Sequence, residues 1–268
     1  MGRVSSRHKV VRIDLDGGVT RAIDTVAGEE PLEIRVSGET FTVTMRTPGH
    51  DVDLAHGLLR AEGVIAARDD VRSARFCSDL DTLNVLDVQV ARPSTGDAVT
   101  STRNLASLGG CGLCGTTAVE AVEAVTAARP PEVSCEAEQV ASALDRLRGR
   151  QQVFDATGGV HGAGLVPAGS SELALVREDI GRHNAVDKVL GGALVLGIDT
   201  AGGLLVVSSR ASFEIVQKAA VSEVSVLACV SAPSSLAIEA AHRLGVTLVG
   251  FARGRRMSVY THAHRIRH

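Results

Sequence analysis

The second half of the chain constrains the fold most strongly, because short apolar runs alternate there with amphipathic helical patterns. LALVRE (173–178), LLVVSS (204–209), VSVLACVS (224–231) and TLVGFA (247–252) read as strands. HNAVDKVLGGALVLG (183–197), FEIVQKAAVSEV (213–224) and SLAIEAAHRLG (235–245) read as the helices between them. That alternation of short apolar runs with helical patterns is the sequence form of a sheet layered with helices. The expected class is α/β, a layered sheet with helices.

The first half reads differently. PLEIRVSGETFTVTM (31–45) alternates about a Ser-Gly pair, a hairpin signal. In PGHDVDLAHGLLRAEG, Leu54, Leu58 and Leu59 share a helix face, Asp51 or Asp53 is placed to cap the start, and Gly63 to end it. RSARFC (72–77) and LNVLDVQVA (83–91) read as two more strands, and TTAVEAVEAVTAAR (116–129) and about 136–148 as helices. The boundary between the halves is expected in the polar stretch 92–110 or near Pro130-Pro131. The expected organisation is an N-terminal extension over 1–30, a smaller β-rich part over 31–108 and an α/β domain over 109–268.

With 44% hydrophobic residues in 268 positions, the chain has material for a sizeable core. Lys and Arg total 28 against 31 Asp and Glu, too even a balance for a protein organised around a nucleic-acid backbone or an anionic membrane. No segment is long and apolar enough for a membrane span or a signal-peptide core, so a cytoplasmic location is expected. The five cysteines are an odd number for a disulfide framework.

Two of them, Cys111 and Cys114, stand in GGCGLCGTT (109–117) before a helical pattern. A structural zinc site needs four ligands, and Cys77, Cys135 and Cys229 are isolated. The zinc deaminases combine H-x-E with a later P-C-x-x-C. Here Gly110 precedes Cys111, and the one histidine in a glycine-rich turn, His161, follows the cysteines and has Ala163 two residues on. No metal ligand is assigned. A thiol ahead of a helix start feels unpaired N–H groups and the positive end of the helix dipole, which favour the thiolate. Gly109, Gly110, Gly112 and Gly115 keep such a loop open. A dithiol-disulfide oxidoreductase and a persulfide-forming sulfurtransferase both fit this chemistry, and a zinc-binding structural module or a packed pair of cysteines is the plainer alternative.

Three polar strand ends form a second candidate: VREDIGRHNAVDKVLGG (176–192), SSRASFEIVQKAA (208–220) and SAPSSLAIEAA (231–241). Each is also what an ordinary helix start looks like. Ligands of open α/β sheets collect at the carboxyl ends of strands, which favours one crevice built from all three. The run GFARGRRMSVYTHAHRIRH (250–268) contains five arginines and no acidic residue, with Phe251 available for stacking and Arg253, Arg255 and Arg256 for forked hydrogen bonds to phosphate.

Taken together, TPGHDVDLAHGLLRAEGVI, GCGLCG, TGGVHGAG, EDIGRHNAVDKVLG, SSRASFEIVQKAA, SAPSSLAIEAA and LVGFARGRRMSVYTH resemble the formate dehydrogenase accessory sulfurtransferases, the FdhD family, from about residue 30 to 262. The resemblance implies a cytoplasmic sulfur carrier that takes sulfur from a cysteine desulfurase and passes it to the molybdenum cofactor, as bis(molybdopterin guanine dinucleotide), before insertion into formate dehydrogenase. It implies a persulfide on Cys111, with Cys114 assisting or relaying. It places the guanine dinucleotide against Phe251, Ala252, Arg253, Gly254, Arg255 and Arg256, with GDP as a fragment mimic. It also implies a homodimer and a cytidine-deaminase-like C-terminal domain.

Overall fold

The computed structural model describes residues 3–77, 83–91 and 129–268. Strands β1 (Ser5–Asp14) and β2 (Gly18–Ala27) make a two-stranded antiparallel ribbon. Its turn is tied by the Asp14 carboxylate, which accepts from the Asp16 and Gly17 amides at 2.9 and 3.0 Å. β3 (Glu30–Val36) and β4 (Glu39–Arg46) form the expected hairpin. Both turn residues, Ser37 and Gly38, have positive φ (52° and 91°), the geometry that matches strand twist in a two-residue turn.

Helix α1 (Asp51–Ala61) follows, then β5 (Val71–Phe76) and β6 (Val85–Val90), giving a sheet of order β4-β3-β6-β5. Leu32, Ile34 and Val36 of β3 and Leu86 and Val88 of β6 bury one face of this sheet against Leu54, Ala55 and Leu59 of α1. Each such side chain contributes about 2 kcal/mol of burial. Neither Asp51 nor Asp53 caps the helix; the N-cap is His50, in the left-handed region and without a side-chain cap. Both aspartates lie in the first turn and are held by arginines instead: Asp51 by Arg46 at 2.9 Å and Asp53 by Arg177 at 2.8 Å.

The remaining elements are β7 (Cys135–Glu136), α2 (Ala137–Gly149), α3 (Gln152–Thr157), β8 (His161–Val166), β9 (Leu175–Asp179), α4 (Arg182–Leu196), β10 (Leu204–Val207), α5 (Phe213–Val221), β11 (Val226–Cys229), α6 (Ser235–Leu244), β12 (Thr247–Arg253), β13 (Arg256–Val259) and β14 (Ile266–Arg267). β8 to β13 form one sheet of order β13-β12-β11-β10-β8-β9, in which β10, β11 and β12 are parallel and β8 is antiparallel to both its neighbours. β9 therefore runs the same way as β10.

Alternate residues of each central strand face opposite helical layers. Leu205, Val207, Leu227, Cys229 and Leu248 pack against α4, α5 and α6. Leu204, Val206, Val226, Ala228 and Val249 pack against α2. The α/β layered class is thus confirmed, and the uniformly apolar strand runs are explained by burial on both faces. No helix of the described residues is long and apolar enough to cross a membrane.

The two sheets are joined where α1 crosses α4. A Cβ on Gly57 would lie 2.0 Å from the Asp187 carbonyl oxygen, and one on Gly191 would lie 1.9 Å from the Asp53 carbonyl oxygen. Only glycine permits this approach. Gly191→Ala is expected to destabilise the fold by about 3 kcal/mol through forced separation of the helices. Gly149→Ala, where an added Cβ meets nothing within 4 Å, should be neutral or slightly stabilising. Paired chemical denaturation curves of the two variants check this.

Candidate functional site

The carboxyl ends of β9, β10, β11 and β12 meet at one edge of the six-stranded sheet, beside the amino end of β8 at His161. The three polar strand ends seen in the sequence do gather there, but they divide into two sets.

The first set is consumed by the structure. Asp179 is fully buried, accepts hydrogen bonds from the Thr47 amide at 3.1 Å and the Gly181 amide at 2.8 Å, and pairs with Lys188 at 2.6 Å. Lys188 also donates to the Thr47 carbonyl at 2.7 Å, and Asn184 donates to the Met45 carbonyl at 2.7 Å. Asp187 is clamped by Lys218 at 2.7 Å. Burial pushes the carboxyls of Asp179 and Asp187 upward, Asp187 to about 6, against the pull of the lysines facing them. Glu178 accepts from the Val153 and Phe154 amides at 2.8 and 2.9 Å, holding the start of α3. Most of the EDIGRHNAVDK run therefore fastens the end of β4 and the start of α3 to the C-terminal sheet.

The second set stays within reach of solvent. His183 meets the Ser212 hydroxyl at 2.9 Å and Glu214 at 3.6 Å. Burial, reinforced by the Arg182 charge, pushes His183 down to about 4, with Glu214 opposing. His161 is lowered for the same two reasons, and Ser208 accepts from the Gly162 amide at 2.9 Å.

A cavity of about 560 Å³ opens beside this set, on the α2 side of the sheet. Leu144, Leu147 and Arg148 of α2, Phe154 of α3, His161, Ser208 and Val230 line it, and so do Ala252, Arg253 and Gly254. Half of the six-residue segment expected to bind a cofactor thus lines this cavity. The Arg253 side chain is oriented by donating to the Val230 carbonyl at 3.1 Å. Gly254 has φ 54°, as the β12–β13 turn requires. Phe251 is 50% exposed and lies outside the lining, as do Arg255 and Arg256, both exposed. Gln151, Asp145 and Phe154 were not signalled by any motif; they reach the cavity through the packing of α2 and α3.

Cys111 and Cys114 lie outside the described residues. Cys135 and Cys229 are buried, and burial pushes each thiol up to about 11, which leaves them as unreactive core residues. Among the described residues no three His, Cys, Asp or Glu side chains come together as a metal site.

The family model described as FdhD/NarQ matches residues 27–267. The chain belongs to the FdhD/NarQ family. It is 52% identical to a protein of Nocardia farcinica over 99% of this chain and 96% of that one. It is 47% identical to one of Streptomyces avermitilis over 99% and 97%, and 45% identical to one of Mycobacterium tuberculosis over 99% and 100%. Each of these relatives is named sulfur carrier protein FdhD. The crystal structure of a proposed formate dehydrogenase accessory protein from Desulfotalea psychrophila superposes with a TM-score of 0.79 at 24% identity, covering 99% of this chain and all of that one. The fold is therefore shared with that protein. In this FdhD/NarQ chain the family match begins at Ala27, so most of the β1–β2 ribbon precedes it, while the cavity lies wholly inside it.

A histidine whose folded pKa lies below its unfolded value binds fewer protons when folded. The stability tied to His183 is thus intact above about pH 6.5, its ordinary value, and is lost as pH falls toward about 4. The difference in thermal midpoint between wild type and His183→Gln should shift against the wild type between those pH values, as read by calorimetric scans at each pH.

Proposed function

We propose that this chain is a cytoplasmic sulfur carrier: it accepts sulfur from a cysteine desulfurase as a persulfide on Cys111 and delivers it to bis(molybdopterin guanine dinucleotide) destined for formate dehydrogenase. The observation that carries this reading is the coincidence, in one chain of the FdhD/NarQ family, of a glycine-flanked C-x-x-C sequence with a cavity lined by Ala252, Arg253 and Gly254 at the carboxyl edge of the sheet. The names of the relatives support the sulfur-carrying half of it.

In the loading step the Cys111 thiolate attacks the outer sulfur of the desulfurase persulfide. The new S–S bond forms on Cys111, the donor S–S bond breaks, and the donor cysteine leaves as a thiolate. Cys114 assists or relays the sulfur. The cofactor is substrate here. Its guanine nucleotide end occupies the cavity, where Arg253 and the exposed Arg255 and Arg256 neutralise phosphate oxygens at the rim. The chain works as a homodimer. A dithiol-disulfide oxidoreductase would leave the cavity without a role.

After incubation with a cysteine desulfurase and cysteine, intact-mass measurement should show one added sulfur on the wild type and none on Cys111→Ala. Absence of added sulfur on the wild type contradicts the proposal. GDP should bind, and Arg253→Ala should weaken it by about tenfold, the loss of one charge-assisted hydrogen bond; titration calorimetry reads this.

A further inference from the structure

The β1–β2 ribbon pairs with no other strand among the described residues, and its unbroken register sorts its side chains onto two unlike faces. Val11, Ile13, Val19 and Ile23 fall on one face, and each is between 59% and 71% exposed. Arg7, Lys9 and Arg21 share that face; all three are exposed, and none has an ion-pair partner among the described residues. The acidic residues of the two strands, Asp14 and Asp24, lie on the other face, where Asp24 pairs with Arg12 at 3.4 Å. One side of the ribbon is thus charge-balanced, and the other is an apolar strip bordered by cations alone.

A two-stranded ribbon is marginal in water unless something covers it, and a contiguous exposed apolar patch marks a binding surface. The charges select the occupant. Stacking this face on that of a second copy would set cations against cations across the contact. An anionic membrane would be entered by the ribbon tip, yet Leu15 there stands between the exposed carboxylates of Asp14 and Asp16, and the ribbon has no Trp, Tyr or Phe to anchor it. A protein surface with carboxylates around an apolar ridge meets both requirements. Its position is set by Ala27, on the same face at the base of the ribbon: a Cβ on Gly159 would lie 3.4 Å from that of Ala27, and Gly159 lines the cavity. From that point the ten-residue strands carry the face outward by about 30 Å.

We propose that this face of the ribbon docks an acidic, apolar-ridged surface of the enzyme that receives the cofactor, and so holds the recipient beside the cavity. Its carboxylates meet Arg7, Lys9 and Arg21 while its ridge covers Val11, Ile13, Val19 and Ile23. This rests on the cofactor occupying the cavity and adds where the recipient binds.

The test is biolayer interferometry of the full chain on immobilised, cofactor-free formate dehydrogenase of the same organism, at low and at high salt. Wild type should bind and weaken as salt rises. Lys9→Glu/Arg21→Glu and Ile13→Ser/Val19→Ser should each weaken binding by about tenfold or more. Thermal midpoint, GDP binding and sulfur loading should stay as in wild type. Should the serine variant fail to fold, the charge-reversed one carries the test, since it keeps the apolar strip. No binding by wild type, or equal binding by the charge-reversed variant, overturns the proposal. So does a sedimentation profile in which either variant turns a dimer into a monomer, because the face then belongs to a second copy. Capture of wild type but not the charge-reversed variant by phosphatidylglycerol vesicles, in place of the enzyme, overturns it as well. GDP titration and intact-mass measurement on the same samples separate this from the functional reading. If both succeed while docking ignores the ribbon, only the docking face is wrong; if both fail while ribbon-dependent docking persists, the docking face stands and the functional reading falls.

Discussion

Backbone touches backbone where α1 crosses α4. Gly57 and Gly191 let each helix lie against a carbonyl of the other, and no larger residue fits at either position. So close a crossing brings charged groups into the interior, and they are paired there: Arg46 with Asp51, Arg177 with Asp53, Lys188 with Asp179, Lys218 with Asp187. A buried ion left without its partner is strongly unfavourable, so these pairs fix the geometry of the joint as well as filling it. The β-rich and α/β parts are thereby locked into one packed unit.

That joint determines what remains for chemistry. Because Asp179, Asn184, Asp187 and Lys188 are committed to holding the end of β4 and the neighbouring helices, the carboxyl edge of the sheet is left to His161, Ser208, Val230 and Ala252–Gly254. Helices α2 and α3 close over the opposite face from α4, α5 and α6, and the cavity forms between them and the strand ends. Glu178 ties α3 to β9, so the cavity wall and the joint are mechanically continuous. Cys229, beside Val230, is sealed in the core with its thiol pushed up to about 11, so it takes no part in sulfur chemistry at the cavity.

The layered α/β class was legible because short apolar runs such as LLVV and VLAC alternate with helical patterns, and burial on both faces is why those runs are apolar. The β3–β4 hairpin was legible because Ser37-Gly38 is turn chemistry between alternating residues. The β1–β2 ribbon fell within what read as an extension: its apolar residues Val11, Ile13, Val19 and Ile23 are exposed, so no inward face marks its period. HGAGLV read as a glycine-rich turn and is strand β8, its glycines admitting the Gln151 and Leu173 side chains against the backbone. EDIGRHNAVDK was ambiguous because residues that bind a ligand and residues that bind each other have the same composition; only the pairing distances separate them. Gln151 and Asp145 carry no local signature at all. The stretch 92–110 and the helix expected over 116–129 fall outside the described residues, apart from Arg129.

The central claim is that sulfur held on Cys111 passes to a cofactor seated in the cavity. Its most direct test is a single-turnover transfer with isotopically labelled sulfur: the protein is loaded by a desulfurase, separated from it, and mixed with bis(molybdopterin guanine dinucleotide). The account predicts that label leaves the protein and appears on the cofactor, and that Arg253→Ala, though loaded normally, transfers slowly. Label that stays on the protein in the presence of saturating cofactor would contradict it.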